Sequence, residues 1–404
     1  MAAPGGIISE MRAEKSRGAG YQYAPIRTQI SCSCRSLSLG LHLVSYRAFA
    51  RPKTRPYNFS MTLGAQTKRF VITGATGYLG PWLVREIVQR FGSSSVTCLI
   101  PKSLPAIEEK SLAYLRRLEV TCLECNLMQC PVLDGSLPGV DILIHMAANT
   151  RTDVPEKALQ VNTVGTENLL ETFKSSLRGK RVLLTSTSAA IDRAEFPRSP
   201  LHEESPPHPR TGYGRSKLKA EAILRAKAQE CGFDYTTLRL TTLYGPGMRG
   251  GLFYVLAEWA KRGQLPAKLN WPGRASFIFV QDAARIVLWF SLAEEGRNQT
   301  YFVSSGETYT VGELAEMIFR KGTGVSAGFS LPQWLWKTAQ RFIWLPGVKQ
   351  VIPWRLANVI DDSLLCDSSR MRSVYPAALT HVEAGLDRTF GPDALEDELA
   401  RALT

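Results

Sequence analysis

The sequence predicts an α/β fold in which a doubly wound, mostly parallel sheet carries helices on both faces. From Phe70 onward, short apolar runs that are typical of strands alternate with segments whose apolar residues recur at helical spacing. The first apolar run is followed at once by a glycine-rich turn and a helical segment, an order found in such sheets. The alternation loosens after residue 243, where a smaller C-terminal subdomain is expected.

Composition and charge exclude several classes of protein. The 404 residues are 44% hydrophobic and 21% charged, which is ordinary for a globular protein. Of the net charge of +13, only +6 belongs to the chain beyond position 60, so no basic stripe for nucleic acid is expected. No apolar run approaches the ~18 residues that a transmembrane helix needs.

Residues 1–60 are predicted to be a basic leader that takes no part in the chemistry. They hold nine Lys or Arg against two acids and show no sustained periodicity. Three origins are open: an organellar transit peptide, a disordered tail, or sequence translated upstream of a start at Met61. The protein is expected to be cytoplasmic unless this leader directs it to an organelle.

The eight cysteines do not show the spacing of a disulfide framework, which favours a reducing compartment. Cys122, Cys125 and Cys130 lie close together, but a zinc site needs a further ligand pair at suitable spacing. The nearest histidine, His145, falls in a strand-like run. No metal site is therefore predicted.

The elements follow from the apolar periodicity. The predicted strands are residues 68–72, 95–100, 118–123, 140–145, 181–185, 235–240, 276–280 and 300–303. The predicted helices are a segment from Pro81, residues 104–117, 162–173, 213–230 and 252–262, a segment from Asp282, and residues 311–320. The tail from Leu331 is rich in Trp and Pro and reads as the core of a small domain or an apolar pocket; a membrane-surface helix is a further alternative.

The turn at residues 73–80, with the sequence TGATGYLG, carries the first functional signal. Gly74 permits a tight turn, Gly77 lets the backbone approach a pyrophosphate, and Gly80 lets the helix pack close to the strand. The phosphates would lie on free amides at the positive end of the helix. A glycine pattern alone is weak evidence, but its position between a strand and a helix predicts a dinucleotide site.

Tyr213 and Lys217 stand four residues apart on one face of a predicted helix. A tyrosine phenol has an ordinary pKa of ~10, and a nearby ammonium favours its ionised form and lowers that pKa. Residues 185–188, four successive hydroxyl side chains at a strand end, supply a group that can hold a substrate oxygen. The pair alone is also common on exposed helices, so its weight comes from the combination with the glycine turn.

Together these segments resemble the extended short-chain dehydrogenase/reductase family, of the NAD-dependent epimerase/dehydratase and 3β-hydroxysteroid dehydrogenase kind. The similar motifs run from about Lys68 to about Phe390 and loosen past Gly306. They are TGxxGxxG at 73–80, HxAA at 145–148, NxxGT at 162–166, YxxxK at 213–217, LRxxxxYGPG ending at Gly247, and FxxVxD at 277–282. The resemblance implies a Rossmann-type NAD(P)-binding core at 61–243 and a segment, 244–404, that completes the core at about 276–305 and forms the substrate subdomain.

The resemblance also implies roles for individual residues. Tyr213 would be the catalytic acid/base, Lys217 would bind the nicotinamide ribose, and the hydroxyl position of the family falls on Thr187. Retention of the Tyr and Lys pair favours catalysis over a structural role. The implied cofactor-binding residues are Gly74, Thr76, Gly77, Tyr78, Leu79, Asn126, Leu127, Ala147, Tyr213 and Lys217.

Two positions depart from the family pattern. The second strand should end in an acid that binds the adenosine ribose of NAD, but Lys102 and Ser103 follow it here. A lysine suits a 2′-phosphate, so Lys102 is added to the cofactor site and NADP is favoured over NAD. Asn126 replaces the acid of a Gly-Asp-Leu motif and can still hydrogen-bond adenine.

The predicted function is an NAD(P)-dependent oxidoreductase that interconverts a secondary alcohol and a ketone by hydride transfer. Nucleotide-sugar members usually carry Arg at position 275, where this chain has Ala275, and the aromatic tail favours an apolar substrate such as a sterol, flavonol-like or polyketide-like compound. The alternatives are a nucleotide-sugar epimerase and a non-catalytic NADPH-binding subunit of an assembly. The expected partner is a small-molecule substrate, and both a monomer and a homodimer are open.

Overall fold

The computed structural model describes residues 68–129, 139–152, 154–193, 199–323, 329–345, 347–348, 358–362, 365–391, 394 and 397–403. The chain divides into Met1–Asn58 and Phe59–Thr404, and every described residue belongs to the second unit. The predicted leader at 1–60, Cys130 and part of the aromatic tail lie outside the described residues.

A parallel sheet of seven strands forms the centre of the second unit. Seven of the described strands belong to this main sheet and four belong to two small sheets. In chain order the strands are β1 Phe70–Thr73, β2 Val96–Ile100, β3 Thr121–Glu124, β4 Ile142–His145, β5 Arg181–Thr187, β6 Asp234–Leu240, β7 Thr242–Tyr244, β8 Arg274–Ala275, β9 Phe277–Phe279, β10 Gln299–Val303 and β11 Tyr309–Thr310. The main sheet has the order β10-β6-β5-β4-β1-β2-β3. The order reverses between β1 and β4, and in such sheets ligands bind beyond the carboxyl ends of the strands at that point.

Helices cover both faces of the sheet. The helices are α1 Gly80–Phe91, α2 Ala106–Arg117, α3 Val164–Thr172, α4 Gly212–Cys231, α5 Gly251–Lys261, α6 Val280–Leu292, α7 Val311–Thr323, α8 Gln333–Ile343, α9 Ser369–Val374, α10 Val382–Phe390 and α11 Glu398–Leu403. Because side chains alternate along a strand, Phe70 and Ile72 pack into the core layer of α1 and α6, while Val71 packs into the layer of α3 and α4. The predicted doubly wound α/β fold of Rossmann type is confirmed.

A second apolar core is built from residues after Leu243. Tyr244, Phe253 and Phe277 pack together within it, with ring centroids 4.4 to 5.7 Å apart. Two small sheets support it, one pairing β7 with β9 in parallel and the other pairing β8 with β11 in antiparallel fashion. Trp336 and Ile343 of the tail are buried in this core, as the small-domain interpretation of the tail expected. That this segment binds substrate stays a prediction.

Three predicted elements differ from the observed ones. The helix predicted at 162–173 is found as α3, Val164–Thr172, and an unpredicted 3-10 helix at Glu156–Asn162 precedes it. The third strand begins at Thr121, because Glu119 turns the chain with a φ of 56° after α2. The strand predicted at 276–280 pairs with β7 outside the main sheet, and Val280 already begins α6.

Gly80→Ala should destabilise the protein by ~1–3 kcal/mol, because a Cβ at this position would lie 2.2 Å from the Ala75 carbonyl oxygen. Urea unfolding of the purified chain measures this change. Gly250→Ala is the matched control, since its φ of 175° is extended and no atom lies within 4 Å of its added Cβ. Equal stability of the two variants would contradict the close packing at Gly80.

Candidate active site

The glycine turn is held against the loop after β4 by close backbone contacts. Gly74 has a φ of 73°, and a Cβ there would lie 2.6 Å from the Ala147 amide nitrogen. A Cβ at Gly77 would approach only the Gly74 carbonyl oxygen, at 3.2 Å, so the space in front of this residue is open. The turn is therefore rigid at Gly74 and Gly80 and open at Gly77.

Helix α4 brings Tyr213 to the end of β5. The Thr211 hydroxyl caps the helix by accepting from the Gly214 amide at 3.0 Å. A Cβ at Gly214 would lie 2.2 Å from the Ala189 carbonyl oxygen, so only glycine permits this approach of helix and strand end. This brings the Tyr213 phenol close enough to the Thr187 hydroxyl for that hydroxyl to affect the pKa of the phenol.

The electrostatics of Tyr213 differ from the expectation. Burial raises the pKa of Tyr213 to about 12, and the hydrogen bond from Thr187 opposes this increase only in part. The sequence argument expected Lys217 to lower this pKa, but the cost of burying a phenolate outweighs any such effect here. The phenol is therefore protonated at neutral pH.

Lys217 lies one helical turn after Tyr213 and is only 2% exposed. Burial lowers the pKa of Lys217 to about 8, and the carboxylate of Glu221 acts in the opposite direction. No described side chain hydrogen-bonds to the Lys217 ammonium, although a buried ammonium ordinarily has partners. Three donors therefore remain for a ligand in this site.

Glu221 is a residue of the site that the sequence analysis missed. It is fully buried and accepts from Ser186 Oγ at 2.5 Å and from the guanidinium of Arg239 at 2.9 and 3.1 Å. This ion pair fastens the catalytic face of α4 to β5 and β6. The signal that was available is spacing, because Glu221 follows Lys217 by four residues on the same helical face.

The other motif residues hold neighbouring segments together. Buried His145 contacts Thr73 Oγ1 at 2.7 Å and Thr166 Oγ1 at 2.9 Å, and burial lowers its pKa to about 3, so it is neutral. The Asn162 amide donates to the Asn149 carbonyl and to Ser216 Oγ, both at 2.9 Å. His145 and Asn162 thus hold the neighbouring segments in position, while cofactor binding by Ala147 stays a prediction.

The other residues that were predicted to bind the cofactor lie in separate segments after β2, β3 and β4. Lys102 is exposed directly after β2 and has no described partner. Asn126 is exposed and its Oδ1 accepts from the Met128 amide at 3.0 Å. Leu127 is buried against Gly165, and Ala147 contacts the turn beside Gly74.

The sequence analysis also missed an acid beside the turn. Thr76 Oγ1 donates to Glu108 of α2 at 2.5 Å, and Arg249 donates to the Thr76 carbonyl at 3.3 Å and to Ser111 Oγ at 2.7 Å. Tyr78 donates to the Gly245 carbonyl at 3.0 Å, and Leu79 precedes α1 as its N-cap. An acid does reach the turn, but α2 supplies it instead of β2.

These residues fit a dinucleotide. The open space at Gly77 leaves room for phosphates at the positive end of α1, and the Lys217 ammonium has donors for ribose hydroxyls. Within the described part of the chain, no group of three His, Cys, Asp or Glu side chains is arranged to hold a metal ion.

Lys217→Met should raise the free energy of unfolding near pH 7 by ~1–3 kcal/mol, because it removes a charge that is costly to bury. The pKa of Lys217 is about 8 in the folded chain and ~10.4 when unfolded. Between these two pKa values the unfolded chain therefore binds more protons than the folded chain. The free energy of unfolding of the wild type rises with pH in this range, and the difference between K217M and the wild type narrows. Urea unfolding at several pH values measures this difference. Lys219→Met, at an exposed lysine of the same helix, is the control and should leave the free energy of unfolding unchanged. A K217M variant that is less stable than the wild type at pH 7 would refute the argument.

Comparisons with known proteins found reductases among the similar sequences. Tetraketide alpha-pyrone reductase 1 of Arabidopsis thaliana is 27% identical over 267 residues, which are 61% of this chain and 79% of that protein. GDP-6-deoxy-D-mannose reductase of Pseudomonas aeruginosa is 29% identical over 265 residues, 62% of this chain and 79% of that protein.

The solved structure of UDP-glucose 4-epimerase from Thermotoga maritima superposes with a TM-score of 0.62 at 21% identity, covering 81% of this chain and 100% of that one. At this identity the likeness shows the fold. The model of the NAD dependent epimerase/dehydratase family matches residues 70–312, more than half of the chain. The predicted family is confirmed, and the chain belongs to the NAD-dependent epimerase/dehydratase family of extended short-chain dehydrogenases/reductases.

Proposed function

We propose that the chain is an NAD(P)-dependent oxidoreductase that interconverts a secondary alcohol and a ketone on a mainly apolar small molecule. One observation carries the proposal: the Tyr213 phenol lies next to the Thr187 hydroxyl at the carboxyl end of β5, and the buried Lys217 ammonium, which has no hydrogen-bond partner among the described residues, lies one turn further along α4. An acid, a second hydroxyl and a buried cation in this order are the groups that carbonyl reduction requires.

In this proposal the nicotinamide ring, when bound, supplies or accepts the hydride. The Thr187 hydroxyl holds the substrate oxygen and orients it toward Tyr213. In the direction of reduction the Tyr213 hydroxyl donates its proton to the carbonyl oxygen, and its raised pKa keeps that proton in place at neutral pH. The Lys217 ammonium donates to ribose hydroxyls and stabilises the phenolate that remains on Tyr213.

Tyr213→Phe should lower kcat by about 10²–10⁴-fold while leaving the Kd for the dinucleotide nearly unchanged, because only the proton donor is lost. Steady-state reduction of a panel of apolar ketones and hydroxysteroids, with nucleotide titration in parallel, measures both effects. The control is Tyr254→Phe on the surface of α5, which should behave as the wild type. Unchanged turnover in Y213F would end the proposal.

Arg274, next in sequence to the family's anion-binding position, is already paired with a carboxylate, which supports an apolar substrate. Ala275 is buried where nucleotide-sugar members usually carry Arg, and the adjacent Arg274 is engaged by Asp362 at 2.5 and 3.0 Å. A guanidinium already paired with a carboxylate is a poor ligand for a diphosphate. The Arabidopsis relative, named as a tetraketide alpha-pyrone reductase, adds support for a polyketide-like compound within the proposed class of sterols, flavonol-like and polyketide-like molecules.

A nucleotide-sugar epimerase is the second candidate, because relatives that act on sugar nucleotides are similar over comparable lengths. The two candidate functions differ in the net consumption of nucleotide. An epimerase recycles its bound NAD, while an oxidoreductase consumes nucleotide in proportion to product. A chain that binds NADPH but reduces no member of the panel would instead support the non-catalytic subunit.

Lys102 supports NADP as the cofactor, because its exposed ammonium follows β2 and has no described partner. Glu108 is the opposing feature, since a carboxylate beside the turn suits the ribose hydroxyls of NAD. Location and dimer formation stay predictions. Among the described helices, none combines the length and the apolar character needed to cross a bilayer.

Lys102→Ala should weaken NADP binding about threefold to tenfold and leave NAD binding unchanged, because it removes a charge aimed at the 2′-phosphate. Glu108→Gln should weaken NAD binding instead. Calorimetric or fluorescence titration with both nucleotides measures this, with exposed Lys157→Ala as the control. If K102A weakens both nucleotides equally, Lys102 does not select between them.

A further inference from the structure

The exposed apolar side chains of this protein are concentrated on one surface. In the described part of the chain, ten large apolar side chains are exposed, and six of them belong to residues 265, 329 and 334–345. Single exposed apolar residues are normal on a protein surface, but a cluster of them indicates an interaction site. We call this cluster the α8 surface, and its members are Leu265, Phe329, Trp334, Leu335, Phe342 and Leu345 together with the cations Lys337 and Arg341.

Helix α8 is apolar on two opposite faces. Its inward face carries Trp336 and Ile343, which are buried in the second core. Its outward face carries Trp334, 65% exposed, and Phe342, 57% exposed, which lie about two turns apart. Packing of the second core explains the inward face but leaves the outward aromatic residues without a role.

Hydrogen bonds join the other segments to this helix. The Phe329 amide donates to the Lys268 carbonyl at 2.6 Å, which fixes the 55% exposed Phe329 beside the 3-10 helix Leu265–Lys268. The Asn270 amide donates to Ser330 Oγ at 2.9 Å, and Trp336 Nε1 donates to Asn270 Oδ1 at 3.2 Å. These hydrogen bonds hold the three segments next to one another, and each segment carries exposed apolar side chains.

The exposed charge on the α8 surface is positive. Lys337 and Arg341 are exposed one turn apart, and α8 contains no acidic residue. Two acids that follow in the chain are already engaged, since Asp361 is buried and accepts from Trp344 Nε1 at 2.8 Å, while Asp362 binds Arg274. The surface thus combines aromatic and aliphatic side chains with two cations that have no ion-pair partner among the described residues.

We propose that the α8 surface docks peripherally on an anionic lipid bilayer. A helix that lies in the plane of an interface presents Trp, Phe and Leu to the acyl boundary and Lys or Arg to the headgroups. Cations near the membrane add attraction to anionic lipids, and this attraction falls with salt. Trp, Phe and Leu beside Lys and Arg on one exposed helix face are the composition of a helix that lies in a membrane interface, so the lipid surface is the occupant that both features fit.

The test is co-sedimentation of the full chain with vesicles of phosphatidylcholine alone and of phosphatidylcholine with phosphatidylserine. We expect binding to the anionic vesicles that weakens as salt rises. The double variant Trp334→Ser with Phe342→Ser should bind about tenfold more weakly or worse, because it removes the inserting rings. Lys337→Gln with Arg341→Gln should lose the preference for phosphatidylserine.

Ile107→Ser, at an exposed apolar residue of α2, is the matched control and should bind as the wild type. Brominated lipids should quench the Trp fluorescence of the unaltered chain, a measurement that needs no variant to fold. Trp334→Phe should lose most of that quenching. The proposal is overturned if the chain does not bind vesicles or if W334S/F342S binds them as the wild type does. It is also overturned if the chain binds no vesicles but forms a dimer that dissociates in that variant.

Discussion

The burial of three charged side chains, two on one face of α4 and one on β6, is the constraint on which the site depends. Lys217, Glu221 and Arg239 are each less than a tenth exposed. Glu221 and Arg239 compensate each other through two hydrogen bonds, and Ser186 adds a third contact to the carboxylate. Lys217 receives only the more distant field of Glu221, so its ammonium is held in a dry position where a ligand is its natural partner.

This arrangement requires α4 to approach the sheet closely. Gly214 permits the approach, since any side chain there would overlap the Ala189 carbonyl. Gly74 and Gly80 do the same for the turn that faces the phosphates, one against the loop after β4 and the other against the backbone of Ala75. The two halves of the site are thus fixed by backbone contacts, which a side-chain substitution elsewhere would disturb little.

Most of the fold was predictable because central strands of the main sheet are buried on both faces and read as apolar runs, whereas the edge strand β3 is partly exposed. Leu143 and Ile144, for example, are both fully buried, although they point to opposite faces of the sheet. The 3-10 helix at Glu156–Asn162 and the pairing of β7 with β9 were not predictable, because neither has a periodicity of its own. The two faces of α8 also look alike in sequence, and only packing shows which one is buried.

The sequence by itself determined the turn at residues 73–80, the spacing of Tyr213 and Lys217 and the hydroxyl side chains before residue 189, because each depends on local chain geometry. Only the tertiary structure decided that burial raises the pKa of Tyr213, that Glu108 reaches the glycine turn, and that Glu221 is buried against Ser186 and Arg239. These features depend on segments distant in the chain and on the loss of solvent when they pack, and a linear pattern records neither.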